Sequence, residues 1–135
     1  MLPTTDRLLL GPGPSPVSAR VLAALSAPPR SHLDPDLLSL LDDIRARLTR
    51  ILFAPAGSSV LAVSGTGTTA MEAAVSNMVE PGCRALAIVT GYFGERLAGM
   101  MERHGAEVTR INVEWGRAVD PAAVEAALSH QRYDI

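Results

Sequence analysis

The residues with the clearest chemical potential are 64–69, with the sequence SGTGTT, called here the glycine–threonine turn. They follow a short apolar run at 60–63 that predicts a buried strand, and they precede residues 70–75, which favour a helix. At the start of a helix the first backbone N–H groups have no acceptor within the helix, and the helix dipole is positive. Because glycine lets an anion approach the backbone and threonine adds hydroxyl donors, the turn predicts a phosphate-binding site.

Two nucleotide-binding motifs and a ligand-free turn compete with this interpretation. A P-loop requires a lysine before its Ser or Thr, whereas here Thr68 directly follows Gly67. Residues 65–70 match the dinucleotide pattern G-x-G-x-x-G/A, but the next predicted strand ends without the acidic residue that would hold a ribose. Without a ligand, the stretch would be a strand–helix turn capped by Thr68 or Ser64. The residues alone therefore leave open a cup for one phosphate ester, a dinucleotide fold and a plain turn.

The composition restricts the classes of function. A net charge of −2 over 135 residues does not favour nucleic acid or an anionic membrane as a partner. No apolar run approaches the roughly 18 residues of a membrane span. The single cysteine, together with the lack of a signal-peptide pattern at the start, predicts a cytoplasmic protein. The three histidines share no ligand spacing, so no metal site is predicted.

One residue type is missing altogether. Lys and Arg together number 12, and every one of them is arginine, so these residues contain no lysine. Chemistry that needs an amine nucleophile would have to obtain the amine from residues other than these.

The other predicted elements alternate between helix and strand. Helices are predicted over residues 17–25, 35–52, 69–79, 95–104 and 121–130, and strands over 60–63, 85–90, 107–113 and from 133 onward. Two helices carry an Asp-Pro start, Asp34-Pro35 and Asp120-Pro121, in which the aspartate caps and the proline is the first helical residue. Alternation on short loops predicts an α/β fold with a mostly parallel sheet and helices on both faces.

Residues 91–94, with the sequence GYFG, are predicted to form a second turn at the carboxyl end of a strand, where such sheets bind ligands. They contain two adjacent aromatic residues in a chain that is only 4% aromatic. If the glycine–threonine turn holds a phosphate, Tyr92 or Phe93 would be placed to stack on the ring attached to it. The alternative is an aromatic side chain that only covers the end of the sheet.

Four segments together resemble the amino-terminal part of the class V, fold-type-I pyridoxal-phosphate aminotransferases, and most of all the alanine/serine–glyoxylate branch. They are residues 8–16, 31–35, 64–74 and 91–96, in the order and spacing of that family. The resemblance implies that Thr66, Gly67 and Thr68 hold the cofactor phosphate through N–H and hydroxyl groups, and that Phe93 stacks on the pyridine ring.

The resemblance also implies a substrate side and a reaction. Four residues would line the substrate side near a dimer partner: Gly11, Pro12, Gly13 and His32. The implied enzyme is a homodimer that moves an amino group from serine or alanine to a 2-oxo acid such as glyoxylate. Residues 1–30 would form a loop and short helix near the active site and the dimer interface, and 31–135 the first part of the cofactor-binding large domain, with an incomplete sheet.

Members of this family are longer and carry further functional residues. These are an aspartate that pairs with the pyridine nitrogen, a lysine that bonds the cofactor and an arginine that binds the substrate carboxylate. We therefore expect this chain to be the amino-terminal portion of such an enzyme and, without a lysine, to be inactive alone. The alternative is a non-catalytic α/β fragment that acts as a dimerisation or nucleotide-binding module.

Overall fold

The computed structural model describes residues 8–135, so the first seven residues of the predicted 1–30 segment lie outside it. The chain divides into two compact units, one that ends at Ala62 and one that comprises Val63–Ile135. The described elements are α1 (Ala19–Leu25), α2 (Pro35–Ile51), α3 (Gly67–Met78), β1 (Arg84–Val89), α4 (Tyr92–Arg103), β2 (Glu107–Asn112) and α5 (Pro121–His130).

Both helices of the first unit begin at a capping side chain. The Asp34 carboxylate accepts a hydrogen bond from the Asp36 N–H at 2.8 Å, and Pro35 is the first residue of α2. This is the predicted Asp-Pro start, and α2 ends one residue before the predicted position. The shorter α1 has Ser18 as its N-cap.

The second unit is built on a parallel pair of strands, as predicted. β1 and β2 run from the pair Arg84–Glu107 to the pair Val89–Asn112. Alternate residues of β1 are buried, and they form one core with residues of α3 and α4. The buried core residues are Val75, Val79, Ala85, Ala87, Val89, Ala98, Met100, Met101 and Ala106.

The last residues of the chain pair with the other edge of β1. The Leu86 N–H donates to the Ile135 carbonyl at 2.9 Å, and the Ile135 N–H donates to the Arg84 carbonyl at 3.3 Å. These two hydrogen bonds have the pattern of parallel pairing. The segment from residue 133 therefore pairs as the start of a further strand would, which agrees with the prediction.

The predicted strand at 60–63 is wrong. The residues carry no strand hydrogen bonds, and no described segment pairs with them. Their side chains are not covered either, because Leu61 is 68% exposed and Val63 is 79% exposed. Apolar character indicates that a segment suits burial, but a strand also requires a neighbouring strand to accept and donate its hydrogen bonds.

The predicted turn at 91–94 is also wrong, because α4 already begins at Tyr92 with Gly91 as its N-cap. Gly94 does not form a turn; it allows α4 to pack closely against β1. A β-carbon built on Gly94 would lie 3.0 Å from both the Ile88 carbonyl oxygen and the Val89 α-carbon. The first turn of α4 therefore lies directly against the backbone at the end of β1, which only glycine permits.

Glycine also ends α4, as predicted. Gly105 has a φ of +91°, and its N–H donates to the Glu102 carbonyl at 2.9 Å while the Ala106 N–H donates to the Met101 carbonyl at 3.0 Å. This pair of bonds is a Schellman motif, which satisfies carbonyl groups that the helix leaves unpaired.

An ion-pair network attaches α4 to β2. The Arg110 guanidinium forms hydrogen bonds of 2.5 and 3.0 Å to the two carboxylate oxygens of Glu102, and it lies 3.3 Å from the Glu95 carboxylate. The hydrogen bonds from Arg110 hold the pKa of Glu102 below its ordinary value of 4.5. The same bonds raise the pKa of Arg110 further above its ordinary range.

We predict opposite effects for two glycine substitutions in α4. Gly94→Ala should lower the free energy of unfolding by about 1–3 kcal/mol, because the new methyl group overlaps the backbone of β1. Gly99→Ala should raise it by up to about 1 kcal/mol, because alanine is the better helix former and the new methyl group meets only the Arg103 guanidinium, at 3.5 Å. Urea unfolding of the two variants measures both values. Equal effects at the two positions would show that α4 does not pack on β1 in this way.

The lowered pKa of Glu102 predicts an acid-dependent stability. A carboxyl group with a depressed pKa in the folded state stabilises the fold above its ordinary pKa of 4.5, and this contribution is lost as the pH falls towards the folded value. The urea midpoint of the native chain should therefore fall more steeply than that of Glu102→Gln between about pH 6 and about pH 3. Glu107→Gln is the control, because Glu107 makes no ion pair within residues 8–135 and should leave the native slope unchanged.

Candidate functional site

The glycine–threonine turn leads directly into α3, which begins at Gly67 with Thr66 as its N-cap. Thr66 has an extended backbone, and its N–H donates to the Thr69 hydroxyl at 3.2 Å. The expectation that Thr68 or Ser64 would cap the helix is wrong. Because Gly67 and Thr68 are already helical, α3 starts two residues before the predicted position, and the residue just before that start becomes the cap.

The start of α3 presents several hydrogen-bond donors without acceptors. The first hydrogen bond of the helix runs from the Ala70 N–H to the Thr66 carbonyl at 3.1 Å. Within residues 8–135, the N–H groups of Gly67 and Thr68 donate to no acceptor, and the Thr68 hydroxyl also forms no hydrogen bond. Two amides and one hydroxyl at the positive end of a helix dipole are a donor set that suits an anion.

A cavity of about 390 Å³ adjoins the start of α3 at Gly67, whereas Thr68 lines a different cavity. Its lining residues are Val63, Gly65, Thr66, Gly67, Thr69, Ala70 and Ala73. A β-carbon built on Gly67 would meet nothing within 4 Å, so the α-carbon of this residue faces open space. At Gly65, by contrast, a β-carbon would lie only 2.7 Å from that of Thr69. The donor set and the open side of Gly67 fit a phosphate group.

A second cavity, of about 550 Å³, lies between α3 and α4. It is lined by Thr68, Thr69, Glu72, Ala73, Ser76, Arg96, Met100 and Arg103. Sequence reasoning missed its two arginines, although their spacing of two helical turns on α4 is a signal that could have identified them. One of them, Arg96, donates to the Tyr92 hydroxyl at 3.0 Å.

The predicted stacking residue lies in the first turn of α4. Phe93 is 63% exposed, and its ring meets that of Tyr92 edge to face, with a centroid distance of 5.3 Å. An exposed ring does not agree with the alternative of an aromatic buried over the end of the sheet. Phe93 lines neither of the two cavities described above, and its free face is available for stacking.

The four predicted substrate-side residues belong to the unit that ends at Ala62, whereas the glycine–threonine turn and Phe93 belong to the other unit. Gly11, Pro12 and Gly13 form a series of exposed bends before α1. His32 is exposed in a turn closed by a hydrogen bond from the Asp34 N–H to the Ser31 carbonyl at 3.0 Å.

The part of the chain that the structure describes contains neither a cluster that could hold a metal ion nor a helix that could cross a membrane. No three side chains of His, Cys, Asp or Glu there are arranged so that they could hold a metal ion. None of the described helices combines the length and the apolar character needed to cross a membrane.

Comparison with known proteins gives matches to aminotransferases. The chain is 35% identical over 127 residues to the alanine–glyoxylate aminotransferase of Drosophila melanogaster, which covers 94% of this chain and 32% of that relative. The crystal structure of an alanine–glyoxylate aminotransferase from Nostoc sp. is 45% identical, with a TM-score of 0.81 over 98% of this chain and 35% of that one. The crystal structure of the ureidoglycine–glyoxylate aminotransferase of Bacillus subtilis is 29% identical, with a TM-score of 0.82. The match covers 98% of this chain and 34% of that one.

The chain thus spans about a third of the length of the relatives it matches. No family model matches it.

We predict that the two glycines of the turn differ in what they tolerate. Gly65→Ala should lower the free energy of unfolding by about 1 kcal/mol, because the new methyl group displaces Thr69 and breaks the hydrogen bond from the Thr66 N–H. Gly67→Ala should not lower it, because its β-carbon enters open space and alanine favours the helix that begins there. Amide hydrogen exchange at Thr66 should become faster in the first variant only. Faster exchange in both variants, or in neither, would contradict the described turn.

Proposed function

We propose that this chain is the amino-terminal part of a class V, fold-type-I aminotransferase, and that its glycine–threonine turn holds the phosphate of pyridoxal 5′-phosphate. The observation that carries the proposal is the set of free donors at the start of α3, the N–H groups of Gly67 and Thr68 and the Thr68 hydroxyl. A phosphate dianion would satisfy these donors and interact favourably with the helix dipole.

The proposed roles of the other residues are those that the resemblance implies. Phe93 would stack on the pyridine ring, and its exposed aromatic face supports this role. Thr66 would hold the turn in place and add its hydroxyl to the phosphate site. Gly11, Pro12, Gly13 and His32 would line the substrate side; their exposure is compatible with that role.

The proposed reaction is the transfer of an amino group from a small amino acid, alanine or serine, to a 2-oxo acid such as glyoxylate. Pyridoxal phosphate supplies the electron sink for this chemistry when it is bound. The names of the relatives support glyoxylate as the acceptor, since two are alanine–glyoxylate enzymes and one is a ureidoglycine–glyoxylate enzyme. The amino donors in these names differ, so the names support the proposed donor, alanine or serine, less strongly than the proposed acceptor.

Three further features belong to the proposal. The amine that bonds the cofactor would come from residues beyond these, because the chain has no lysine, and the chain alone would not transfer amino groups. The active enzyme would be a homodimer, which is supported by exposed apolar side chains on α2, namely Leu38, Leu40 and Leu41. Its location would be cytoplasmic.

A chimera tests this function. In it, the chain replaces the matching third of the Nostoc enzyme, which it resembles at 45% identity. We predict that the chimera retains pyridoxal phosphate and converts alanine and glyoxylate into pyruvate and glycine. Thr68→Val should weaken cofactor retention about tenfold, because it removes one hydrogen bond to a charged group.

The control for that substitution is Thr49→Val. The Thr49 hydroxyl donates to the Arg45 carbonyl at 2.8 Å within α2, so its loss should leave cofactor retention unchanged. A folded chimera that binds NAD in preference to pyridoxal phosphate would instead favour the nucleotide-binding alternative. A folded chimera that binds neither would favour a non-catalytic module.

A further inference from the structure

We propose that Arg110 is a positioning residue for Phe93: by bridging Glu95 and Glu102 it fixes how α4 is rotated on the sheet, and thereby where the stacking ring lies. The inference rests on the proposed function, because only that function gives Phe93 a ring to stack on. No ligand would contact Arg110 itself.

The geometry of the bridge constrains rotation. Glu95 and Glu102 are seven residues apart on α4, which places them on one face of the helix about two turns apart. Arg110 reaches both from the middle of β2, with distances of 3.3 Å to Glu95 and of 2.5 and 3.0 Å to Glu102. A helix held at two points along one face cannot turn about its axis without breaking one of them.

The Arg110 side chain is well placed for this task. It is only 24% exposed, and its Nε atom is buried without a hydrogen-bond partner. A guanidinium in partial burial depends strongly on its carboxylate partners, because an unpaired charge there is costly. Its two carboxylate partners are themselves exposed, so the network lies at the surface of the unit with its guanidinium partly covered.

Phe93 depends on this attachment because it has little packing of its own. It is largely exposed and contacts Tyr92, which belongs to the same helix turn. The residues that follow it are the fixed ones: Gly94 lies against the end of β1, and Glu95 is bound to Arg110. The first turn of α4 is thus held by one contact from each strand, and the direction of the Phe93 ring follows from those two contacts.

Two ligands separate ring stacking from phosphate binding in the full chain. Pyridoxamine 5′-phosphate carries both the ring and the phosphate, and it requires no lysine because it has no aldehyde. Inorganic phosphate has no ring. Isothermal titration calorimetry gives the affinity of the native chain and of each variant for both ligands. The ratio of the affinity for pyridoxamine phosphate to that for inorganic phosphate measures the contribution of ring stacking.

We expect Arg110→Gln and Glu95→Gln to weaken pyridoxamine phosphate binding by about threefold to tenfold, the range for loss of an aromatic contact, while phosphate affinity changes by less than about twofold. Phe93→Leu should have the same effect. The double variant Arg110→Gln/Phe93→Leu should bind pyridoxamine phosphate no more weakly than either single variant, because both substitutions remove the same contact. Arg117→Gln is the matched control. It removes an equal charge from an exposed pair with Glu114 at 3.8 Å and should change neither affinity.

Several outcomes would overturn the inference. If Phe93→Leu weakens pyridoxamine phosphate binding but Arg110→Gln and Glu95→Gln do not, Arg110 does not position the ring. If Arg110→Gln weakens both ligands equally and lowers the melting temperature, its role is only structural. If Arg110→Gln does not fold, Glu95→Gln tests the inference instead. Glu95 is exposed, and in that variant Arg110 still forms its ion pair with Glu102. If the native chain binds pyridoxamine phosphate no better than phosphate, the proposed stacking role of Phe93 fails and this inference fails with it.

Discussion

Two backbone N–H groups at the start of α3, those of Gly67 and Thr68, have no acceptor within residues 8–135, and the glycine–threonine turn is arranged around them. The next donor along the chain towards the amino end, the Thr66 N–H, is already satisfied by the Thr69 hydroxyl. That bond requires the Thr69 side chain to occupy the space where Gly65 would carry a β-carbon. Each glycine of the turn therefore has a different purpose: Gly65 makes room for an internal contact, and Gly67 leaves room for an external one.

The position of α4 depends on a different constraint, close approach to the sheet. Ala85 on β1 and Ala98 on α4 are completely buried, and Gly94 touches the backbone of β1. With such small side chains between them, the helix and the strands lie close together, and small changes of volume are poorly tolerated. Arg110 adds a charged attachment at the side of this contact. Apolar packing sets the distance of α4 from the sheet, and the ion pairs set its rotation.

Several features that depend on neighbouring residues in the sequence could be predicted, whereas features that rest on one particular distant contact could not. The Asp120 carboxylate caps α5 by accepting a hydrogen bond from the Ala122 N–H at 3.0 Å, as the Asp-Pro pattern indicates. A strand at 60–63 could not be judged locally, since strand formation requires a partner strand. The residues at 91–94 have the composition of a turn, but the contact that gives Gly94 its purpose comes from β1. For Arg110 the strand gives no local signal, because β2 has the sequence EVTRIN and one more polar residue in it is not distinctive.

The candidate site also combines a feature that depends on neighbouring residues with one that depends on distant residues. Unpaired N–H groups are a local property of any helix start, so a glycine- and threonine-rich sequence before a helix predicts an anion site without knowledge of the fold. The position of an aromatic ring is not local, because Phe93 lies where α4 holds it, and α4 is held by Gly94 against β1 and by Arg110 on β2. Phosphate binding and ring stacking thus rest on separate parts of the structure. A substitution in the sheet can therefore alter the recognition of the ring while the phosphate site stays intact.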